Sequence, residues 1–119
     1  MNDQTTMNER LNQVYTLIKQ LGKEFPNETG AFMAFLKETT DGEALDVRTK
    51  ELINVGLSVA AQCEWCIALH VKNAVEAGAT RPQIVSAGFM AVVMHGGPAL
   101  MYLTPLLKAV DEFTLVAAA

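Results

Sequence analysis

Between Val47 and Ala77 the chain runs for thirty-one residues with no proline and one glycine, Gly56. A single helix of that length would far exceed the usual globular range of about 8–20 residues. The run is therefore expected to break, and Gln62-Cys63, between Ala60-Ala61 and the cysteine motif of "CEWCIALH", is the expected place. Everything around this stretch is also helical in pattern. Leu11, Val14, Tyr15, Ile18 and Leu21 form an i, i+3, i+4, i+7 stripe from Met7 to about Gln20, closed by Gly22 and Pro26. A second helix is expected from Asn27 to Glu38, with Asp41-Gly42 as the turn behind it and Asp46 as the N-cap of a third. Thr80 or Arg81, followed by Pro82, opens another helix that ends at Gly96-Gly97. Pro98 starts the last one, which runs to about Val116, and the tail Leu-Val-Ala-Ala-Ala is free to fray. No segment alternates as a strand does. The chain is expected to be all-α, a single-domain bundle of about six helices over 1–119, with its motif core at 45–95.

Composition narrows what such a bundle can do. Nine basic against thirteen acidic residues give a net charge of −4, with no basic footprint for nucleic acid. No apolar run approaches a membrane span of about 18 residues, and the N-terminus lacks a basic-then-apolar leader. A cytoplasmic protein with no membrane association is expected. Apolar residues make up 50% of the chain and charged ones 18%, more apolar surface than 119 residues can hide inside one small domain. That surplus predicts a homo-oligomer.

The only two cysteines, Cys63 and Cys66, lie three apart, and His70 follows four residues later. On one helix the three fall within about 60° of each other. Cα atoms at i and i+3 are about 5 Å apart, within reach of a disulfide, so the pair can bridge or open in place. A break at Gln62 puts both thiols in the first turn of a helix, where free N–H groups and the dipole favour the thiolate. His70, one turn beyond Cys66, can take its proton. Two other readings compete. The three residues could be zinc ligands with His95 or Glu51 as a fourth, or the cysteines could be inert core residues. Trp65 and Ile67 read as packing residues on other faces, Glu64 as a solvated first-turn carboxylate, and His95 as a helix C-terminal residue favoured by the dipole.

The stretch "LDVRTKELINVGLSVAAQCEWCIALHVKNAVEAGATRPQI", residues 45–84, resembles the carboxymuconolactone decarboxylase family and, within it, the alkylhydroperoxidase D-like branch. The shared pattern is Glu, eleven residues, Cys-x-x-Cys-x-x-x-His, then Gly-x-(S/T)-x-x-x-Ile. The resemblance implies that Cys66 is the peroxidatic cysteine, Cys63 the resolving one, His70 the proton relay and Glu51 the carboxylate behind it. It also implies trimers or hexamers, no bound metal or organic cofactor, and an external dithiol reductant of the lipoyl type or a similar thiol carrier. Two positions depart from the pattern. Trp65 stands where the best-known hydroperoxidase has a histidine, which removes an auxiliary proton carrier, and Gln83 stands where relatives usually carry Glu. The lactone decarboxylases proper lack the cysteine pair.

One geometric requirement follows. Glu51 and His70 are nineteen residues apart, about 28 Å along a continuous helix, so a relay exists only if the chain turns back near Gln62. The expected function is a thiol-dependent peroxidase or disulfide reductase acting on a small peroxide. The alternatives are a decarboxylase-like acid–base enzyme, in which His70 and Glu51 act on a small lactone or keto acid, and a non-enzymatic redox or zinc-binding oligomer.

Overall fold

The computed structural model describes the backbone of residues 5–118 and the side chains of residues 5–115. Within them lie six helices of thirteen residues or more and one short turn of helix, with no strand. They are α1 (Met7–Glu24), α2 (Pro26–Asp41), α3 (Val47–Ala60), α4 (Glu64–Glu76), α5 (Arg81–His95), α6 (Gly97–Met101) and α7 (Leu103–Ala118). The all-α bundle expected from the pattern is the fold observed.

Local chemistry explains most boundaries. Thr6, Asp46 and Thr80 each place a side-chain oxygen on the N–H three residues ahead, the standard N-cap bond, and Gln83 completes a capping box at α5. Three boundaries differ from expectation. α1 passes through Gly22 to Glu24, because a helical glycine only weakens a helix, whereas Pro26 forces Phe25 out of helical geometry. α2 begins on Pro26 itself and continues to Asp41, since proline suits the first helical position. The last helix is two: Pro105 has no N–H for the carbonyl of Met101, and the chain breaks at Tyr102. The alanine tail is helical as far as Ala118, and Ala119 lies outside the described residues, as does the start of the chain at 1–4.

α4 occupies the middle of the bundle, packed against α1, α3 and α7, with α5 against α3. Ile67 and Val71 of α4 meet Val55 and Val59 of α3, Ile84 of α5, and Leu106 and Val110 of α7 in one fully buried cluster. Gly88 lets α5 and α7 close up: a Cβ there would lie 2.4 Å from Leu106 Cδ2. The N-terminus of α1 is held by α7. Glu112 accepts the N–H groups of Met7 and Asn8 at 3.0 Å each, and Lys108 donates to the Thr5 carbonyl. α2 is the exception to this packing. None of its residues is buried.

Candidate active site

The turn between α3 and α4 builds the site. Gln62 adopts a left-handed φ of 55°, the one described non-glycine residue to do so. Its N–H bonds to the Val59 carbonyl and that of Cys63 to the Ser58 carbonyl, the paired bonds of a Schellman turn. The chain therefore reverses where the sequence demanded it, and α4 runs back along α3.

Cys63 is the N-cap of α4, and its sulfur accepts the N–H of Cys66 at 3.1 Å. Cys66 is the third helical residue, and the two are joined as a disulfide with Cα atoms 5.2 Å apart. The expectation of one helical face for all three motif residues is corrected here. Cys63 stands outside the helix, and only Cys66 and His70 share its phase. Both sulfurs nonetheless lie at the N-terminal end of α4, where unpaired N–H groups collect. Both residues are partly exposed, so small reagents can reach them.

Behind the disulfide sits a polar pair, Glu51 buried and His70 partly exposed. The His70 Nδ1 and Glu51 Oε1 atoms are 3.1 Å apart, across the hairpin. Asn54 donates to the same carboxylate oxygen at 2.8 Å. Burial pushes the Glu51 carboxyl up, but the hydrogen bonds from His70 and Asn54, the charge of His70 and a smaller contribution from Asn73 leave it below its ordinary value of 4.5. Glu51 is thus an anion held among donors. With Nδ1 engaged by a carboxylate, the imidazole presents Nε2 as its proton-accepting atom. Neither Arg48 nor Lys50 is the partner of Glu51. Lys50 instead reaches the Thr39, Thr40 and Gly42 carbonyls and closes the end of α2.

Asn54 is the site residue that sequence reasoning missed. The signal was available: it is a polar residue three positions after Glu51, on the same helical face. Trp65 needs a correction as well. Ile67 is fully buried as expected, but Trp65 is 46% exposed. Arg10 of α1 lies over its ring, 4.9 Å from the centroid, and Gln13 accepts its indole N–H at 2.7 Å. Glu64 is partly covered, with the Arg10 guanidinium 3.9 Å away. These contacts span more than fifty positions, and no local spacing announces them. His95 ends α5 on the surface, beside an apolar cleft between α3 and α5 that contains none of Cys63, Cys66 or His70. Among the described residues no three His, Cys, Asp or Glu side chains converge as a metal-holding group.

A helical bundle with a Cys-x-x-Cys disulfide at a helix start and a Glu–His pair behind it defines the class of protein. The chain belongs to the carboxymuconolactone decarboxylase family, whose sequence profile matches residues 26–109. A carboxymuconolactone decarboxylase family protein from Legionella pneumophila, solved in its apo form, superposes with a TM-score of 0.85 at 37% identity, covering 90% of this chain and 96% of that one. A family member from Thermotoga maritima, described as a candidate for an antioxidative response, superposes at 0.81 with 24% identity over 92% and 93% of the two chains. Protein 4 of the cox locus of Paracoccus denitrificans is 43% identical over 82 residues, 69% of this chain and 74% of its own length. A Cupriavidus necator protein is 32% identical over 90% of this chain and 95% of its own. Among the described residues no helix is long and apolar enough to cross a membrane.

Proposed function

We propose that the protein is a thiol-dependent peroxidase that cycles through the Cys63–Cys66 disulfide. One observation carries this reading: the Glu51–His70 pair, assembled from residues nineteen apart, stands one helical turn behind Cys66. A carboxylate–imidazole pair beside a cysteine at a helix N-terminus is the arrangement that makes a thiolate at neutral pH. In the reduced enzyme His70 takes the Cys66 proton. The thiolate attacks ROOH, forming an S–O bond as the O–O bond breaks, and RO⁻ leaves as the alcohol after taking up that proton. Cys66 is then a sulfenic acid. Cys63 condenses with it to form the disulfide, and water leaves. An external dithiol supplies two electrons and two protons, restores both thiols and is itself oxidised to a disulfide. The antioxidative role suggested for the Thermotoga relative agrees with this chemistry.

The test is peroxide consumption by the reduced protein with a panel of dithiol donors, including dihydrolipoyl compounds. Turnover with at least one donor, and loss of two thiols per chain when the donor is withheld, is expected. Peroxide consumption no faster than by free cysteine would overturn the reading.

A further inference from the structure

Glu51 meets His70 with a carboxylate oxygen that a second side chain also holds. The Asn54 amide reaches Oε1 at 2.8 Å, the same atom that stands 3.1 Å from His70 Nδ1. A carboxylate only accepts, so the amide must present its nitrogen there. Asn54 is itself held in place. Ser58 donates its hydroxyl to the Asn54 carbonyl at 2.6 Å, and the Ser58 carbonyl receives the N–H of Cys63. Glu51, Asn54 and Ser58 thus form a polar line along one face of α3, at i, i+3 and i+7, from the carboxylate to the cysteine turn. Glu51 and Ser58 are the two buried polar residues among those described.

The residue type at position 54 decides what this line can do. A glutamate side chain is long, and one hydrogen bond across the hairpin leaves its carboxylate free to turn. A second bond from its own helix fixes which oxygen meets the imidazole. Lysine or arginine could also donate, but would cancel the negative charge that favours a protonated His70. An amide donates without titrating and carries no charge, so it orients the anion and leaves its field intact. Asn73, three residues after His70, adds a weaker contribution of the same kind. The other charges on the elements packed around α3 and α4 are committed elsewhere. Arg10 of α1 stands by Glu64, Lys37 of α2 pairs with Asp41, Lys72 with Glu76, and Arg81 of α5 with Asp111 of α7. Lys108 and Glu112 of α7 hold the start of α1, Lys50 closes the end of α2, and His95 lies at the α3–α5 cleft. His70 is the charge that acts on Glu51.

We propose that Asn54 is a positioning residue for the reactive thiol, acting through Glu51 and His70 to keep Cys66 a thiolate at neutral pH. This role depends on the reading above, in which His70 takes the Cys66 proton. Without the amide the carboxylate is a slightly stronger acceptor but is free to turn from Nδ1 toward water. The lost alignment outweighs the gain, because hydrogen bonds weaken steeply as they bend.

Alkylation of the reduced chain by iodoacetamide tests this without any peroxide. The rate at Cys66 is followed against pH, with mass spectrometry separating it from Cys63. Asn54→Leu, which keeps the size and drops the donor, should shift the midpoint upward and slow the reaction about three- to thirtyfold at neutral pH. At high pH, where hydroxide makes the thiolate, its rate should match the parent's. Asn54→Ala should show the same shift, which guards against a misfit of leucine. In a Glu51→Gln background Asn54→Leu should change the rate by less than about twofold, because its route to the sulfur is gone. An unshifted midpoint in both Asn54 variants, beside a shifted one in Glu51→Gln, would overturn the proposal and leave the relay standing. Equal slowing by Asn54→Leu with and without Glu51 would overturn it too. Unshifted midpoints in all three single variants would bring down the relay and the proposal together. A protein that shows these shifts yet fails to turn over peroxide would lose the peroxidase reading and keep this one.

Discussion

α4 is entered and left through turns of the same design. At its start the N–H groups of Gln62 and Cys63 bond back to Val59 and Ser58. At its end those of Gly78 and Ala79 bond back to Val75 and Ala74. Both turns need a residue at positive φ, 55° in one and 92° in the other. The second uses glycine, which bears that conformation without strain, and the first uses glutamine, which pays about 1–2 kcal/mol for it. The caps show the same contrast. α1, α3 and α5 begin on threonine or aspartate, and α4 begins on a cysteine, a poorer cap. Local rules are kept where the turn only connects helices. They are relaxed where it must present sulfur, as expected at sites shaped by chemistry rather than stability.

The largest effects should come from breaking the chemical turn at its sulfurs. Cys66→Ser should abolish peroxide turnover. Cys63→Ser should react once and then stall as a sulfenic or over-oxidised protein, visible by mass spectrometry. Equal multi-turnover activity in both variants would remove the assignment of roles.

Next in size is the pair behind the turn. His70→Ala and Glu51→Gln should each slow the first attack on peroxide by roughly ten- to a thousandfold at neutral pH, the range general-base help supplies. Because both act on one proton, the double variant should be little slower than the slower single one. Raising the pH should restore the rates, since hydroxide then makes the thiolate. Stopped-flow rates against pH measure this, and an unshifted profile for Glu51→Gln would end the relay.

The two turns themselves should respond oppositely to mutation. Gly78→Ala is expected to destabilise by about 1–2 kcal/mol, through backbone strain alone, because a Cβ there meets nothing within 4 Å. Gln62→Gly is expected to stabilise by about 0.5–1 kcal/mol, the relieved strain less the greater freedom of glycine in the unfolded chain. Urea midpoints on the reduced proteins decide. A loss of stability in Gln62→Gly would mean that the glutamine side chain is itself bonded in the turn.

The smallest effect concerns acid. The Glu51 carboxyl is held below its ordinary value of 4.5 in the folded chain. Its contribution is therefore complete above that value and is lost as pH falls through the lower, folded one. Between these limits the parent protein should lose stability with acid more steeply than Glu51→Gln. Parallel curves would show that the pair stabilises nothing.

How much of this was legible follows from how far each signal reaches. A break at Gln62 was legible because thirty-one residues rarely remain one globular helix, whereas the Glu51–His70 pairing came from the family resemblance and required that break to be a hairpin. Asn54 is readable by the same three-residue step. The Arg10–Trp65–Gln13 cluster is not, since its members come together only after α1 docks on α4. The break at Tyr102 was encoded by Pro105, three residues beyond it, where apolar periodicity continues undisturbed and masks the missing N–H. The openness of α2 is the hardest case. Its amphipathic pattern says that a face is to be covered, and nothing in a pattern says by which chain.

The clasp on α1 bears on how the protein is made. The Glu112 carboxylate that holds the Met7 and Asn8 N–H groups lies 105 and 104 positions further along the chain. Translation releases the N-terminus first, so the first helix leaves the ribosome long before its clasp exists. A message cut short before the Glu112 codon yields a chain with every residue of the cysteine turn and no hold on the start of α1. Met7 and Leu11, sealed in the finished core, then lack the anchor that keeps them there. Such a product carries the reactive sulfurs without a secured first helix, and proteases that survey unfinished chains have an unanchored segment to grip.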